Sequence, residues 1–377
     1  MPTNSAISCF SEFDCIESFI DCMELYLVSL INAIEVLWAK FLITIPLTWK
    51  LTSEISSVTA ESVAYPTIGV ILLGGISDRT RRNPLHTSAG FAYTGLDYDI
   101  DVHTRIYAAK GLPSGSINGE PVKFSQSNRS PFHVLNKYAP LIFRKFGITD
   151  DEVTLSFSST NRKILSGSSD AGAAAIGAGI QSLSGGAISH RDLESDLRAI
   201  SESAARSLYG GLSVTWVNGG EISTERILDP AAFSDYVIVG CRFNVPRNPS
   251  DRIHENVVHS PDYNRRIEST REKGSALVKL AEDRDIEGIF ELAHHDTDEY
   301  HALIESVGVH VITEKMRALM VWVNEMRKES WLAYIVTGGS NVFVAMRKKD
   351  VANILPLISG KCDEIDLLKV SGEAHTV

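Results

Sequence analysis

Apolar and polar positions follow three rhythms along this chain. Residues 67–73 form an unbroken β-branched and apolar run, which predicts a buried strand ended by Gly74-Gly75. A polar turn over residues 78–83 leads into Pro84-Leu-His-Thr-Ser-Ala-Gly90. Residues 100–160 read as short strands and turns, with a helix over 131–146. Ser189-His-Arg-Asp192 has the form of a capping box. After it, Leu193, Leu197, Ile200 and Ala204 share one face at helical spacing, which predicts a single helix up to Gly210-Gly211. Strands are expected over 212–216 and 236–243, and residues 261–330 read as mostly helical. Residues 333–336 and 342–346 form a strand pair around Thr337-Gly-Gly-Ser-Asn341. No internal repeat or low-complexity tract interrupts the pattern. Arg247-Asn-Pro-Ser-Asp251 marks a candidate domain boundary.

Chemistry concentrates in Leu165-Ser-Gly-Ser-Ser-Asp-Ala-Gly-Ala-Ala-Ala-Ile176, a Gly/Ser-rich loop that runs into a helix of very small residues. The first N–H groups of a helix lack internal partners, and the macrodipole adds partial positive charge there. Such a start is an anion site, with phosphate its usual occupant. Gly167 lets the backbone approach closely. Ser166, Ser168 and Ser169 add hydroxyls, and Gly172 to Ala175 offer no bulk. The alternative is a Gly/Ser linker before an Ala-rich buried helix. A Walker A loop needs a following Lys, which is missing here, and Gly177-Ala-Gly179 lacks the third glycine of the dinucleotide fingerprint.

Composition narrows the class. At 377 residues, 44% hydrophobic and 22% charged, the chain has material for two globular domains. A formal net charge of −11 without a basic platform argues against nucleic-acid binding. The five cysteines form no CxxC pair and read as reduced thiols of a cytoplasmic protein. Residues 1–57 stand apart. They hold three cysteines and an apolar stretch over 25–49 that Glu35, Lys40 and Pro46 interrupt. That stretch makes a poor membrane span, and the acidic residues before it are wrong for a signal peptide. It is an amphipathic helix packed on the body, a membrane-associated extension, or an atypical leader translated upstream of the true start. The third reading predicts that a chain starting at Val58 keeps full activity.

Three constellations of polar residues need weighing. Glu202 and Arg206 lie four apart, opposite the apolar stripe; they form either an exposed ion pair or, among small neighbours, a ligand site. His254-Glu-Asn-Val-Val-His259 spaces its histidines five apart, which is wrong for a zinc helix. His294, His295, Asp296, Asp298, Glu299 and His301 read as a solvated helix face.

The loop resembles the phosphate loop of the GHMP kinase superfamily. Ala64-Tyr-Pro-Thr-Ile-Gly-Val-Ile-Leu-Leu-Gly-Gly75, Pro84-Leu-His-Thr-Ser88, Arg206-Ser-Leu-Tyr-Gly-Gly211 and Thr337-Gly-Gly-Ser-Asn341 are similar, in order, to segments of its diphosphomevalonate decarboxylase branch. The resemblance implies an α+β, two-domain GHMP kinase fold. A nucleotide-binding α+β domain would cover 58–246, and a ferredoxin-like α/β sandwich 247–377. It implies ATP with Mg2+, a homodimer, and a place in isoprenoid synthesis.

Two departures matter. Leu72 stands where the decarboxylases carry Lys, and Thr337 where they carry Asp. That combination, with Glu202, resembles the archaeal mevalonate 3-kinases, which phosphorylate the tertiary hydroxyl of mevalonate without decarboxylation. Carried over from the resemblance, Ser166, Gly167, Ser168, Ser169, Asp170 and Ala171 would hold ATP. Arg206 would grip the substrate carboxylate, and Glu202 would bind the hydroxyl or, with Ser168, Mg2+. Arg247 would face the transferring phosphate. Leu72, Ser166 and Thr337 would line the substrate. A decarboxylase of a phosphorylated mevalonate and a non-catalytic GHMP-fold binding protein are the alternatives. Arg79, Arg81 and Arg82 leave open a patch for a 5-phosphate.

Overall fold

The computed structural model describes residues 34, 55–245 and 249–377, within two units, 1–57 and 58–377. In the first unit the described residues are helical. The expectations for the 25–49 stretch, residue 34 apart, and for Arg247 lie outside the described residues.

In the second unit the chain begins with β1 (Thr59–Ala64), β2 (Thr67–Ile71), β3 (Ser88–Gly95), β4 (Asp101–Lys110), β5 (Gly115–Ile117) and β6 (Glu120–Pro121). Next come α1 (Pro131–Lys145), β7 (Val153–Arg162), α2 (Ser168–Ser184), α3 (His190–Ile200) and α4 (Ala204–Tyr209). Then follow β8 (Leu212–Asn218), β9 (Glu221–Leu228) and β10 (Tyr236–Arg242). The C-terminal part adds α5 (Ser250–Val257), α6 (Tyr263–Glu282), α7 (Ile286–Glu305), α8 (Glu314–Met326), β11 (Leu332–Val336) and β12 (Asn341–Arg347). It ends with α9 (Val351–Ser359), β13 (Glu364–Val370) and β14 (His375–Thr376). Among the described residues no helix is long and apolar enough to cross a membrane.

Two sheets result. One runs β14-β1-β4-β7-β5-β6; the other runs β11-β12-β10-β13-β3-β8-β9, with β2 paired to β3. The second sheet draws strands from both sides of residue 247. Its alternation feeds two cores, as period-two side chains must when both faces are covered. Tyr334, Val336, Val342, Val344 and Met346 enter one cluster, while Ala333, Ile335, Phe343 and Ala345 enter the other. Helix α7 packs on β2 and on β11, and so bridges the segment after β2 to the Thr337 turn.

Two expectations fail here. Residues 100–160 hold the ten-residue strands β4 and β7, paired along their full length. Their inner face is partly Ser and Thr, which hid the alternation. Helix α2 packs so closely on β1 and β4 that hydroxyls fit and hydrogen bond there: Ser62 Oγ donates to Ala175 O at 2.7 Å, and Thr104 lies 2.8 Å from Ser159. The helix after the Ser189 capping box forms as expected, with Asp192 closing the box. It then breaks: Ser201 is extended, at φ −146° and ψ 125°, and α4 begins at Ala204. Glu202 and Arg206 therefore do not share one continuous helix.

Candidate active site

A cavity of about 230 Å³ opens where the phosphate loop, the segment after β2, the break before α4, helix α5 and the Thr337 turn converge. Gly167 caps α2 in the left-handed conformation (φ 77°, ψ 23°), and no side chain caps that helix start. A Cβ at Gly167 would stand 2.5 Å from the Thr67 nitrogen, so both the conformation and the close approach demand glycine. The loop before it is clamped. Tyr93 Oη accepts from Ser166 N at 3.0 Å and donates to Ser166 O at 2.9 Å, and Asn341 Nδ2 donates to Leu165 O at 2.6 Å. Ser166 Oγ lies 3.0 Å from Thr337 Oγ1. Of the loop residues named from the sequence, Ser166 to Asp170 line the cavity, while Ala171 is fully buried behind them.

Asp170 turns inward. Its carboxylate accepts from Thr67 Oγ1 at 2.5 Å and from Ser201 Oγ at 2.6 Å, tying α2 to β2 and to the helix break. Burial, with the Glu202 charge behind it, raises its pKa.

Glu202 sits in the break and is clamped at both oxygens. Oε1 accepts from His254 Nε2 at 2.9 Å, and Oε2 from Arg82 Nε at 2.8 Å. Burial pushes its carboxyl up. The His254 hydrogen bond and the Arg82 guanidinium more than reverse this and hold it well below the usual carboxylate range. Arg82 is 1% exposed and occupies the left-handed region (φ 52°); its Nη1 donates to Asp251 Oδ1 at 2.7 Å.

Arg206 is the contrary case. It is 4% exposed and lines the cavity, yet its Nε and Nη2 have no hydrogen-bond partner. Burial lowers its pKa, although Asp170 and Glu202 pull the other way. A buried guanidinium with unused donors beside a cavity suits an anionic ligand.

Leu72 and Thr337 complete the walls. Leu72 N donates to Asp296 Oδ2 at 2.7 Å, and Leu72 O accepts from Arg266 Nη2 at 2.7 Å. Asp296 is fully buried and also takes Arg266 Nη1 at 2.6 Å and Lys273 Nζ at 2.8 Å. The 294–301 cluster is thus no solvated face: His294, Asp296 and His301 are buried, and only His295, Asp298 and Glu299 are exposed. Apolar neighbours on α7 alternate with these polar ones, and the salt partners lie on α6, so the sequence had no way to show the pairing.

The structure thus brings Leu72, Ser166, Gly167, Ser168, Ser169, Asp170, Glu202, Arg206 and Thr337 together around one cavity. Arg82, Tyr93 and His254 were missed as site residues. The paired histidines of 254–259 were read only against metal spacing, and a histidine acting as hydrogen-bond partner leaves no such spacing. Of the arginines considered for a 5-phosphate, Arg82 is committed to Glu202 and Asp251, and Arg79 pairs with Glu255.

Residues 64–226 match the diphosphomevalonate decarboxylase-like N-terminal domain, and 248–352 match the mevalonate-3-kinase C-terminal domain. The chain is 46% identical to the mevalonate-3-kinase of Picrophilus torridus over 314 residues, 83% of this chain and 96% of that one. A crystal structure of mevalonate-3-kinase from Thermoplasma acidophilum, with mevalonate 3-phosphate and ADP bound, superposes with a TM-score of 0.79. It has 44% identity and covers 85% of this chain and 98% of the other. A mevalonate diphosphate decarboxylase from Staphylococcus aureus, 18% identical with a TM-score of 0.71 and covering 85% and 98%, shares the fold.

Proposed function

Because the chain belongs to the mevalonate 3-kinase family of the GHMP superfamily, we propose that it transfers the γ-phosphoryl group of ATP to the 3-hydroxyl of mevalonate and leaves the carboxylate in place. One observation carries this reading to the residues: Arg206, whose buried guanidinium has two unpartnered nitrogens, lines the same cavity as the phosphate loop. A carboxylate is the planar anion that such a fork binds bidentately.

Glu202 accepts a hydrogen bond from the hydroxyl that becomes phosphorylated. Held ionised below the usual range by the His254 hydrogen bond and the Arg82 charge, it is a weak base but a well-oriented acceptor. Phosphoryl transfer asks mainly for positioning and charge neutralisation, so a weak base suffices. For Arg247, which lies outside the described residues, the family resemblance implies a role toward the transferring phosphate. ATP supplies the phosphoryl group, and Mg2+, when bound, neutralises its charge. The uncapped start of α2 and the hydroxyls of Ser166, Ser168 and Ser169 are the groups here that hold phosphates. Among the described residues no three His, Cys, Asp or Glu side chains gather as a metal cage. Mg2+ needs only one or two protein oxygens beside substrate phosphates, a demand that the Ser168 hydroxyl fits.

Leu72 and Thr337 give the cavity an apolar and a neutral wall where the decarboxylases carry Lys and Asp. Expelling a tertiary phosphate while CO2 departs needs preorganised charge, and these residues supply none. The 46% identity to mevalonate-3-kinases favours mevalonate itself over a 5-phosphate, and Arg82, committed to Glu202 and Asp251, offers a 5-phosphate no grip. The rest of the proposal is a cytoplasmic homodimer with domains at 58–246 and 247–377. The test is ³¹P spectroscopy of protein with Mg·ATP and either mevalonate or 5-phosphomevalonate. One new tertiary phosphomonoester from mevalonate alone is expected; turnover of only the 5-phosphate refutes the reading.

A further inference from the structure

The segment from Leu72 to Gly75 carries almost no side-chain chemistry, yet its backbone is held group by group. Tyr300 Oη donates to Leu73 O at 3.1 Å, and Tyr263 Oη donates to Gly74 O at 2.7 Å. Two histidines accept the next two amides: Gly74 N–H donates to His86 Nε2 and Gly75 N–H to His254 Nδ1, each at 3.2 Å. Gly75 adopts φ 90°, and a Cβ there would lie 2.0 Å from the Tyr263 hydroxyl oxygen, so the turn admits only glycine.

The amide of Gly75 has a consequence for chemistry. A nitrogen that accepts an N–H carries no proton of its own. His254 Nδ1 is therefore bare, the ring is neutral, and its single proton sits on Nε2. That proton points at Glu202 Oε1, 2.9 Å away. Glu202 lies in the break between α3 and α4, where no helical ladder fixes its backbone. Its place must come from tertiary contacts, and these are His254 on one oxygen and Arg82 on the other.

We propose that His254 is the positioning residue for Glu202: the Gly75 amide selects its Nε2–H tautomer, and that N–H, with Arg82 opposite, fixes the plane of the carboxylate at the cavity. The inference rests on the phosphoryl-transfer reading above. His254 touches neither reactant in this role; it acts through Glu202. A misplacement of about 1 Å at a reacting group can cost about 10²-fold in rate, which is the range open to such a residue.

His254→Ala should lower kcat for mevalonate phosphorylation by roughly 10- to 100-fold, with the KM for ATP unchanged. His254→Gln places an amide N–H near the Nε2 position and should recover most of the loss. Equal impairment in both variants, or wild-type kinetics in His254→Ala, overturns the proposal. A second arm needs no activity. Long-range ¹H–¹⁵N spectra of the substrate-free protein at neutral pH should show His254 as the neutral Nε2–H tautomer. An Nδ1–H tautomer or an imidazolium overturns it even if the variants fail to fold. A wild-type protein inactive on mevalonate would instead strike the functional reading, leaving the tautomer result to decide the positioning.

Discussion

Two buried charge clusters lie against the segment from Leu72 to Gly75, and they differ in one respect. Around Asp296 the charges are closed: the carboxylate takes Leu72 N, Arg266 and Lys273, and Arg266 also reaches Leu72 O. The Nε of Arg266 lacks an acceptor, but its guanidinium lies 5.5 Å from the Tyr300 ring centroid. Around Glu202 the anion is paired at both oxygens, while the neighbouring cation, Arg206, which lines the cavity, is left with two unpartnered nitrogens. Both cations cost desolvation. Only the first recovers it within the protein, so the second needs a ligand. Closed charge supports the fold here, and open charge marks the site.

The comparison breaks most easily at Asp296. Asp296→Ala would leave Arg266 buried without its carboxylate, while Lys273 keeps Glu299, and cost about 3–5 kcal/mol of stability, read by urea unfolding. A variant of near-native stability would erase the distinction.

Arg206→Met should do the reverse. Melting temperature stays at or above that of the unsubstituted protein, since an unpaired buried charge is removed. At the same time kcat/KM for mevalonate falls by at least about 10²-fold, roughly 2.7 kcal/mol of transition-state binding. Unfolding with retained kinetics would make Arg206 a structural residue.

Acid should strike the supporting side gradually. Burial, helped by the Arg266 charge, brings His86 down to about 4, and burial, helped by Arg327, does the same for His294. The unfolded chain then binds protons first as pH falls. Their contribution is complete above about pH 6.5, declines by up to about 1.4 kcal/mol per pH unit per group between 6.5 and 4, and levels off below. Unfolding free energies at pH 7.5, 5.5 and 4.5 check this; a flat profile contradicts it.

The open cluster was half legible in the sequence and the closed one was not. Small residues after Gly167 and the Arg206-Ser-Leu-Tyr-Gly-Gly211 segment are local signals, and they led to residues that line one cavity. Arg206 was visible as a candidate, but its isolation from acceptors is tertiary. The break at Ser201 was invisible because apolar spacing continues across it, and the Asp170 carboxylate that accepts from the Ser201 hydroxyl lies 31 residues away. Asp296 looked solvated because its partners lie on α6 and at the end of β2, 23 to 224 residues distant. His254 offered only a spacing that excluded zinc; its neutral tautomer depends on one backbone amide of Gly75.

The central claim is that an open cation beside an apolar Leu72 and a neutral Thr337 binds a carboxylate and keeps it. Carboxyl-labelled ¹⁴C-mevalonate, incubated with protein and Mg·ATP, tests this most directly. The account predicts that ATP is consumed one for one with mevalonate while all label stays in a phosphorylated acid. Release of ¹⁴CO2 in proportion to ATP would contradict it.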